Sequence, residues 1–180
     1  MKTIPLPRTG LSVSELCLGT NQFGTAQDDV HAHALLDTFR ALGGNFIDTA
    51  HAYADWLPTA PRAASEHCIG RWLARQQRDS VVIATKGCEF DYRAGFQPRV
   101  TPEHLRADLE SSLAALGTDY IDLYWLHRDD PSHPVERILD ALIEQQRAGR
   151  IRHFGCSNWG VARIQAAQRH AASIGHEGFV

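Results

Sequence analysis

Three groups able to move protons, Asp48, His51 and Tyr53, fall within six positions of the stretch NFIDTAHAYADW at residues 45–56. They stand where a short apolar run gives way to polar residues, as when a buried strand emerges into a loop. A carboxylate and a phenol there can simply cap or turn the chain, because loops after strands are rich in such residues. They can also do acid–base work if other ionisable groups reach the same point. Lys86 ends the run SVVIATK, His127 ends YIDLYWLH, Ser157 and Asn158 end IRHFGCSN, and Thr20 and Asn21 follow ELCLG. One apolar segment after another therefore finishes in a charged, hydroxyl or amide group.

This set suits delivery of a proton to a developing oxyanion. A free tyrosine, near pKa ~10, is a reluctant donor and a poor base at neutrality. An adjacent ammonium, Lys86, favours tyrosinate and lowers that value, and Asp48 keeps the ammonium charged and oriented. Tyr53 then serves as general acid in reducing a carbonyl and as general base in the reverse oxidation. A neutral His127 donating to the carbonyl oxygen fixes its angle. The structural alternative pairs Lys86 with Asp48 as a plain ion pair and leaves His127 capping a strand end.

These groups need elements to carry them. Residues 15–20, 45–50, 80–86, 120–127 and 151–158 read as strands, mostly continuous apolar runs of the kind buried on both faces of a parallel sheet. Helical signals fill the gaps. Asp28 or Asp29 can cap VHAHALLDTFRALG, Ser65 opens SEHCIGRWLARQQ, and Thr101 with Pro102 starts TPEHLRADLESSLAALG. Leu105, Leu109, Leu113 and Leu116 form an apolar stripe there, PVERILDALIEQQRAG repeats the design, and WGVARIQAAQRHAASIG starts a fifth helix. Strand recurs after strand every ~30–40 residues, the size of a βα unit. Repeated βα units make a parallel sheet with right-handed crossovers, either an open doubly wound sheet or a (β/α)8 barrel. The first βα turn, GTNQFGTAQDDV, lacks G-x-G-x-x-G and no Walker loop appears, which weakens the doubly wound reading. In a barrel the C-terminal strand ends converge on one mouth, where active sites sit. The segment MKTIPLPRTGLSVSE reads as a hairpin turning at Thr9-Gly10 and placed to plug the bottom of such a barrel.

Composition narrows the partners. The chain has 180 residues, 43% hydrophobic and 22% charged, with a formal net charge of -3, so neither nucleic acid nor an acidic membrane surface is favoured. The N-terminus carries no apolar leader and no apolar run approaches the ~20 residues that span a bilayer, so a cytoplasmic protein is expected. Cys17, Cys68, Cys88 and Cys156 are scattered without a C-x-x-C pair, as reduced, mostly buried thiols are. His31 and His33 form an H-x-H, but two residues apart on a helix they face different ways, and no metal site is expected.

With these motifs in family order, the chain resembles an aldo-keto reductase along essentially its whole length. The resemblance is carried by CLGTNQFG, NFIDTAHAYADW, SVVIATKG, IDLYWLHRDDP and IRHFGCSNW. It implies a (β/α)8 barrel of TIM type and a catalytic tetrad falling on Asp48, Tyr53, Lys86 and His127. It also implies an NADPH cofactor, with NADH possible, bound without a Rossmann fold. Ser157 and Asn158 match positions that hold the nicotinamide carboxamide, and Gly19, Thr20, Asn21 and Asp48 match positions beside the cofactor. Trp56 falls in the segment that lines the substrate pocket, joined there by Trp125 or Trp159; Arg128 stays open between structure and substrate. The implied activity is NAD(P)H-dependent reduction of small-molecule aldehydes or ketones to alcohols. The alternative is a non-catalytic or regulatory binding protein on the same scaffold, and a metal-dependent hydrolase is disfavoured because lysine and tyrosine occupy the mouth.

The chain stops at HEGFV, which resembles the entry to a sixth strand, whereas a (β/α)8 barrel usually needs ~250 residues. The expectation is therefore one truncated domain over 1–180: the hairpin, about five βα units and the start of a sixth strand. On that expectation activity is impaired by the missing strands, and exposed strand edges favour self-association.

Overall fold

The computed structural model describes residues 1–180. An antiparallel hairpin comes first, β1 (Thr3–Pro5) against β2 (Ser12–Ser14), with Ile4 opposite Val13. Its turn is closed by Thr9, whose hydroxyl donates to Leu6 O at 2.8 Å and accepts from Leu11 N at 3.0 Å, next to Gly10 at φ 68°. Ser14 N donates to Asn45 Oδ1 at 2.6 Å, just before the second strand of the main sheet, and Arg8 reaches Glu177 O at 2.6 Å near the end of the chain. The hairpin thus crosses the N-terminal ends of the sheet, opposite the end where the polar residues gather.

The main sheet is parallel and sequential: β3 (Cys17–Gly19), β4 (Phe46–Asp48), β5 (Val82–Gly87), β6 (Ile121–Leu126) and β7 (Ile151–Cys156). All five expected strands are present and somewhat shorter than their apolar runs, and with the helices between them they make the expected α/β fold, a partial (β/α)8 arrangement. β3 and β7 form its two edges. The expected start of a sixth strand is not a strand. Phe179 is buried and Val180 N donates to Phe154 O at 3.2 Å, so HEGFV lies along the β7 edge with a single ladder contact.

Local capping chemistry places the helices. Asp28 accepts from His31 N and starts α1 (Asp29–Ala41); Thr101 accepts from His104 N and starts α3 (Pro102–Leu116), which ends at Gly117 in the left-handed region. α4 (Val135–Arg147) and α5 (Val161–Ser173) complete the helical layer. α2 differs from expectation. It spans Ala64–Leu73 behind Ala63, so Ser65 lies inside the first turn, not at the cap. Its hydroxyl is buried and donates to Thr20 O at 2.8 Å, with Thr20 Oγ1 and Thr49 Oγ1 each 2.9 Å away. That cluster ties α2 to the ends of β3 and β4. No helix is long and apolar enough to cross a membrane.

Period-2 alternation divides the sheet into two faces. Ile47, Ile83, Tyr124 and Phe154 face the helices in a cluster of buried residues with Leu36, Ile69, Trp72, Leu109 and Leu139. The other face carries Gly19, Asp48, Ala84, Leu123 and His153 in one register row and Lys86, Trp125 and Gly155 in the next. The register therefore brings Asp48 and Lys86 to neighbouring strands on the same face.

Helices α2 and α3 pack at Gly70, where a β-carbon would run into the Ala115 carbonyl oxygen and lie 3.0 Å from Leu116 Cα. Helix propensity alone would favour Ala there by about 1 kcal/mol. We expect the reverse: Gly70→Ala lowers stability by about 1–3 kcal/mol because backbone must move. Urea unfolding of the two proteins decides it, and a stabilised variant would mean that α2 and α3 are not so closely packed.

Candidate active site

Strand β5 delivers Lys86 and β4 delivers Asp48. The β4–β5 ladder continues past the strands, with Thr49 N donating to Ala84 O and His51 N to Lys86 O, each at 2.9 Å. The loop after β4 is thus held for three further residues before it turns. Tyr53 then comes back over the lysine. Lys86 Nζ donates to Asp48 Oδ2 at 2.5 Å, to Thr49 O at 2.8 Å and to the Tyr53 hydroxyl at 3.0 Å, which uses all three of its protons. The Tyr53 hydroxyl in turn lies 3.3 Å from Asp48 Oδ2 and donates to it. The lysine side chain is only 13% exposed, so these contacts replace most of its water.

His127 joins from the end of β6. Its backbone N donates to Gly87 O and its carbonyl accepts from Asn158 Nδ2, both at 2.8 Å. Its ring meets the Tyr53 ring edge to face at 6.2 Å between centroids, and Trp56 also meets Tyr53 edge to face at 6.4 Å. The four residues expected to form one catalytic group thus converge. His51, which shares the sequence cluster, does not. Its Nε2 turns to Ser111 Oγ at 3.1 Å on α3.

One expectation changes in the folded protein. Lys86 does pull the Tyr53 phenol down, but burial pushes it up more, and the net direction is above the ordinary tyrosine value. Tyr53 therefore stays protonated through the neutral range. Desolvation, invisible in a sequence window, outweighs the ammonium.

The residues expected beside a cofactor divide. Ser157 and Asn158 lie together at the end of β7, with Asn158 Nδ2 3.1 Å from Ser157 Oγ and Asn158 held at φ 61°. Asp48 presents its second oxygen, Oδ1, without a partner inside the chain, and Gly19 and Asn21 are exposed. Thr20 is instead buried, its hydroxyl spent on Asp48 O and Ser65. Of the tryptophans, Trp56 lines the cleft beside Tyr53 and Trp125 covers Gly155 on the sheet face that carries Lys86. Trp159 is not brought to the cleft. Its indole N–H donates to Arg128 O at 3.0 Å and its ring packs edge-on against Phe179.

The sequence reading missed Glu89. It sits in the loop after β5, 4% exposed, with Oε2 3.3 Å from His127 Nδ1 and Oε1 accepting from Arg128 Nε at 2.7 Å. Arg128, left open between structure and substrate, is thereby tied to the carboxylate behind the histidine. Asp29, His33 and Cys68 also gather, their ligand atoms all within 4.8 Å of one another. Arg71 takes both Asp29 oxygens at 2.5 and 2.8 Å, and the His33 nitrogens contact Cys68 O at 3.0 Å and Arg75 at 3.2 Å. Asp29 is thus held by Arg71 and His33 by Arg75 and the Cys68 carbonyl, and His31 points elsewhere, to Asp28.

The profile of the Aldo/keto reductase family matches residues 15–174. The chain belongs to this family. Norsolorinic acid reductase stcV of Emericella nidulans is 39% identical over 181 residues, taking in 91% of this chain and 45% of that protein. An uncharacterized oxidoreductase, YrpG of Bacillus subtilis, is 37% identical over 89% of this chain and 51% of its own length. Protein tas of Escherichia coli is 35% identical over 92% and 55%. The chain thus spans about half the length of the curated relatives it matches.

A partly buried and a fully buried group of this aldo/keto reductase chain give opposite pH slopes. Burial pulls His127 down to about 4, with Glu89 opposing, whereas burial pushes Glu66, at 0% exposure, up to about 7. As pH falls from ~6.5 towards 4, the unfolded histidine protonates before the folded one, so stability is lost. As pH rises from ~4.3 towards 7, the unfolded glutamate ionises while the folded one keeps its proton, so stability is lost in that direction. Removing either group should expose the other. Between pH 7 and 4.5, His127→Asn should gain about 1–3 kcal/mol relative to the parent chain, and Glu66→Gln should lose a similar amount. Urea midpoints across that range measure both, and parallel pH profiles in all three proteins would contradict the assigned burial.

Proposed function

We propose that this chain carries the proton-transfer machinery of a nicotinamide-dependent carbonyl reductase that converts aldehydes or ketones to alcohols. The observation that carries the reading is the lysine ammonium shared between a carboxylate and a phenol. An isolated ion pair would leave Tyr53 uninvolved. Here the third proton of Lys86 is aimed at the phenol oxygen, so a negative charge developing on that oxygen is met by a cation already in place. Tyr53 gives its proton to the substrate oxygen, and Lys86, held by Asp48 and Thr49 O, stabilises the tyrosinate left behind.

The donor set at the end of β7 fits a primary carboxamide. Ser157 Oγ has a hydrogen to give, and Asn158 Oδ1 has no partner within the chain. A donor beside an acceptor is the complement of a nicotinamide amide, and Asp48 Oδ1 and the open backbone at Gly19 lie on the same face. Bound there, a reduced nicotinamide supplies the hydride. NADPH is the first choice by family, with NADH alongside it.

The carbonyl compound enters past Trp56. A cleft of about 440 Å³ runs from there, lined by Asp55, Trp56, Pro58, Tyr92, Arg93 and Phe96. Its aromatic walls suit an aryl carbonyl.

Oxidation of NADPH or NADH by a panel of aryl aldehydes, followed by nicotinamide absorbance, tests the proposal. Tyr53→Phe should lower kcat by about 10²- to 10⁴-fold while leaving cofactor binding intact. Lys86→Met should fall in the same range, and Asn158→Ala should weaken cofactor binding in a fluorescence titration. Full activity in Tyr53→Phe would refute the assigned acid; cofactor binding indifferent to Asn158 would move the carboxamide site elsewhere.

A further inference from the structure

β7 is an edge strand, and the residues after α5 lie against that edge. Phe154 O accepts from Val180 N at 3.2 Å, and Arg152 O accepts from Gln146 Nε2, on α4, at 2.6 Å. The second contact orients the Gln146 amide and turns its Oε1 to His176 Nε2, 2.8 Å away. An amide oxygen accepts and never donates, so His176 Nε2 carries a hydrogen. On the other side of the ring, Gly178 N donates to His176 Nδ1 at 2.9 Å, so Nδ1 is bare. The two contacts fix the same neutral tautomer independently. The ring also stacks on Phe154, 5.6 Å between centroids and 11° apart in plane. Beyond it, Gln168 of α5 holds Phe179 by both backbone groups, Oε1 accepting from its N at 2.8 Å and Nε2 donating to its O at 3.2 Å. The buried Phe179 ring sits edge-on to Phe154 and to Trp159.

We infer that residues 176–180 form a strap, shut over the β7 edge while His176 is neutral and lifted when it gains a proton, and that lifting it loosens the Asn158 end of β7. An imidazolium only donates, so a proton on Nδ1 sets N–H against the Gly178 N–H and cancels that bond. The charged groups facing the ring are Arg147 on α4, which disfavours the imidazolium, and Glu177 within the strap, which favours it. β7 meets the ring with Phe154, and Arg8 of the hairpin is taken up by Glu177 O. Burial, the largest effect, acts with Arg147, so the strapped histidine titrates below the ordinary ~6.5. A histidine held low in the shut form stabilises it above the ordinary value and loses that contribution as pH falls below it. The strap is therefore shut at neutrality and opens on acidification. The consequence travels through Trp159, which carries Phe179 on its ring and gives its indole hydrogen to Arg128 O. Asn158, one residue earlier, gives Nδ2 to His127 O. Losing Phe179 removes the packing that holds this pair. Only this last step rests on the carboxamide site proposed above.

Nitrogen-15 NMR of the 180-residue chain between pH 7.5 and 5 tests the strap. At pH 7.5 the His176 ring, assigned by its loss in His176→Phe, should show a pyridine-type Nδ1 and a pyrrole-type Nε2. On acidification the Gly178 and Val180 amide signals should move towards exposed-chain positions along the titration of that ring, with a midpoint below ~6.5. His176→Phe keeps a flat ring against Phe154 but cannot titrate, and its Gly178 and Val180 signals should stay level. A neutral His176 with its proton on Nδ1 overturns the strap, and so does one that titrates while Gly178 and Val180 stand still. Both outcomes are read in the parent chain, whether or not the variant folds. Calorimetric titration with NADP⁺ reads the coupling, and the variant subtracts the titration of the cofactor's own phosphate. From pH 7.5 to 5, Kd should rise about 3- to 10-fold more in the parent chain than in His176→Phe. Equal rises, with the strap lifting only in the parent, overturn the coupling to Asn158. Absence of cofactor binding at either pH is a failure of the carboxamide reading and of the coupling with it, and the NMR result still decides the strap.

Discussion

A nearly buried ammonium with three acceptors is the constraint on which the rest of this structure turns. Lys86 gives one proton each to Asp48, to Thr49 O and to Tyr53. Taking such a charge out of water costs several kcal/mol, and the cost is offset only when every proton has a well-placed acceptor. That requirement reaches far back into the fold. Asp48 must end β4 on the same sheet face as Lys86, which the parallel register secures, and the loop must return Tyr53 from a fixed point. The continued ladder through Thr49 and His51 supplies that point. A one-residue slip between β4 and β5 would send the carboxylate to the helix side and leave the ammonium unpaired.

Much of this was legible in the chain, for local reasons. Continuous apolar runs announced the five strands, and single cap residues such as Asp28, Thr101 and Gly117 marked helix ends, because each signal is contained within a few neighbouring residues. The convergence of Asp48, Tyr53, Lys86 and His127 was legible too, since all four stand at or just beyond the C-terminal ends of their strands. What the chain hid depends on distant packing. Ser65 looks like a helix cap until Thr20 and Thr49 fold against it. Trp159 looks like a pocket wall until Phe179 and Arg128 O engage it. Tyr53 was expected to titrate low because its cation is conspicuous, whereas its burial is not. Glu89 stands thirty-eight positions from His127, and only the β5–β6 pairing brings the two loops together.

The backbone records where the site was built against local preference. Ala54, Cys88 and Asn158 all adopt positive φ, at 78°, 60° and 61°, without being glycine. Each follows within two residues of a group at the site: Tyr53, Lys86 and Ser157. Conformations of this kind cost of order 1–3 kcal/mol each and persist only where the surroundings over-determine them. Here the surroundings are the ladder contacts and the ion pairs just described. The left-handed turn at Cys88 directs Glu89 back under His127, and the one at Asn158 sets its amide against the His127 carbonyl.

Two kinds of anchoring follow. Asp48 and Lys86 ride on strands and inherit their precision from the sheet. Tyr53 and Glu89 ride on loops and need another source, which the charged residues between those loops provide. Arg62 links Asp55 of the first loop, at 3.2 Å, to Asp91 of the second, also at 3.2 Å, and Arg99 continues from that loop to Asp108 on α3. Asp55 is 4% exposed, so its bonds form where water screens them little. Such a clasp acts on both loops at once: it holds the phenol over the lysine and the carboxylate behind the histidine in a single arrangement. Tyr53 and Glu89 are therefore positioned by one shared set of charges, which makes the surroundings of His127 a property of the loop pair and not of the histidine alone.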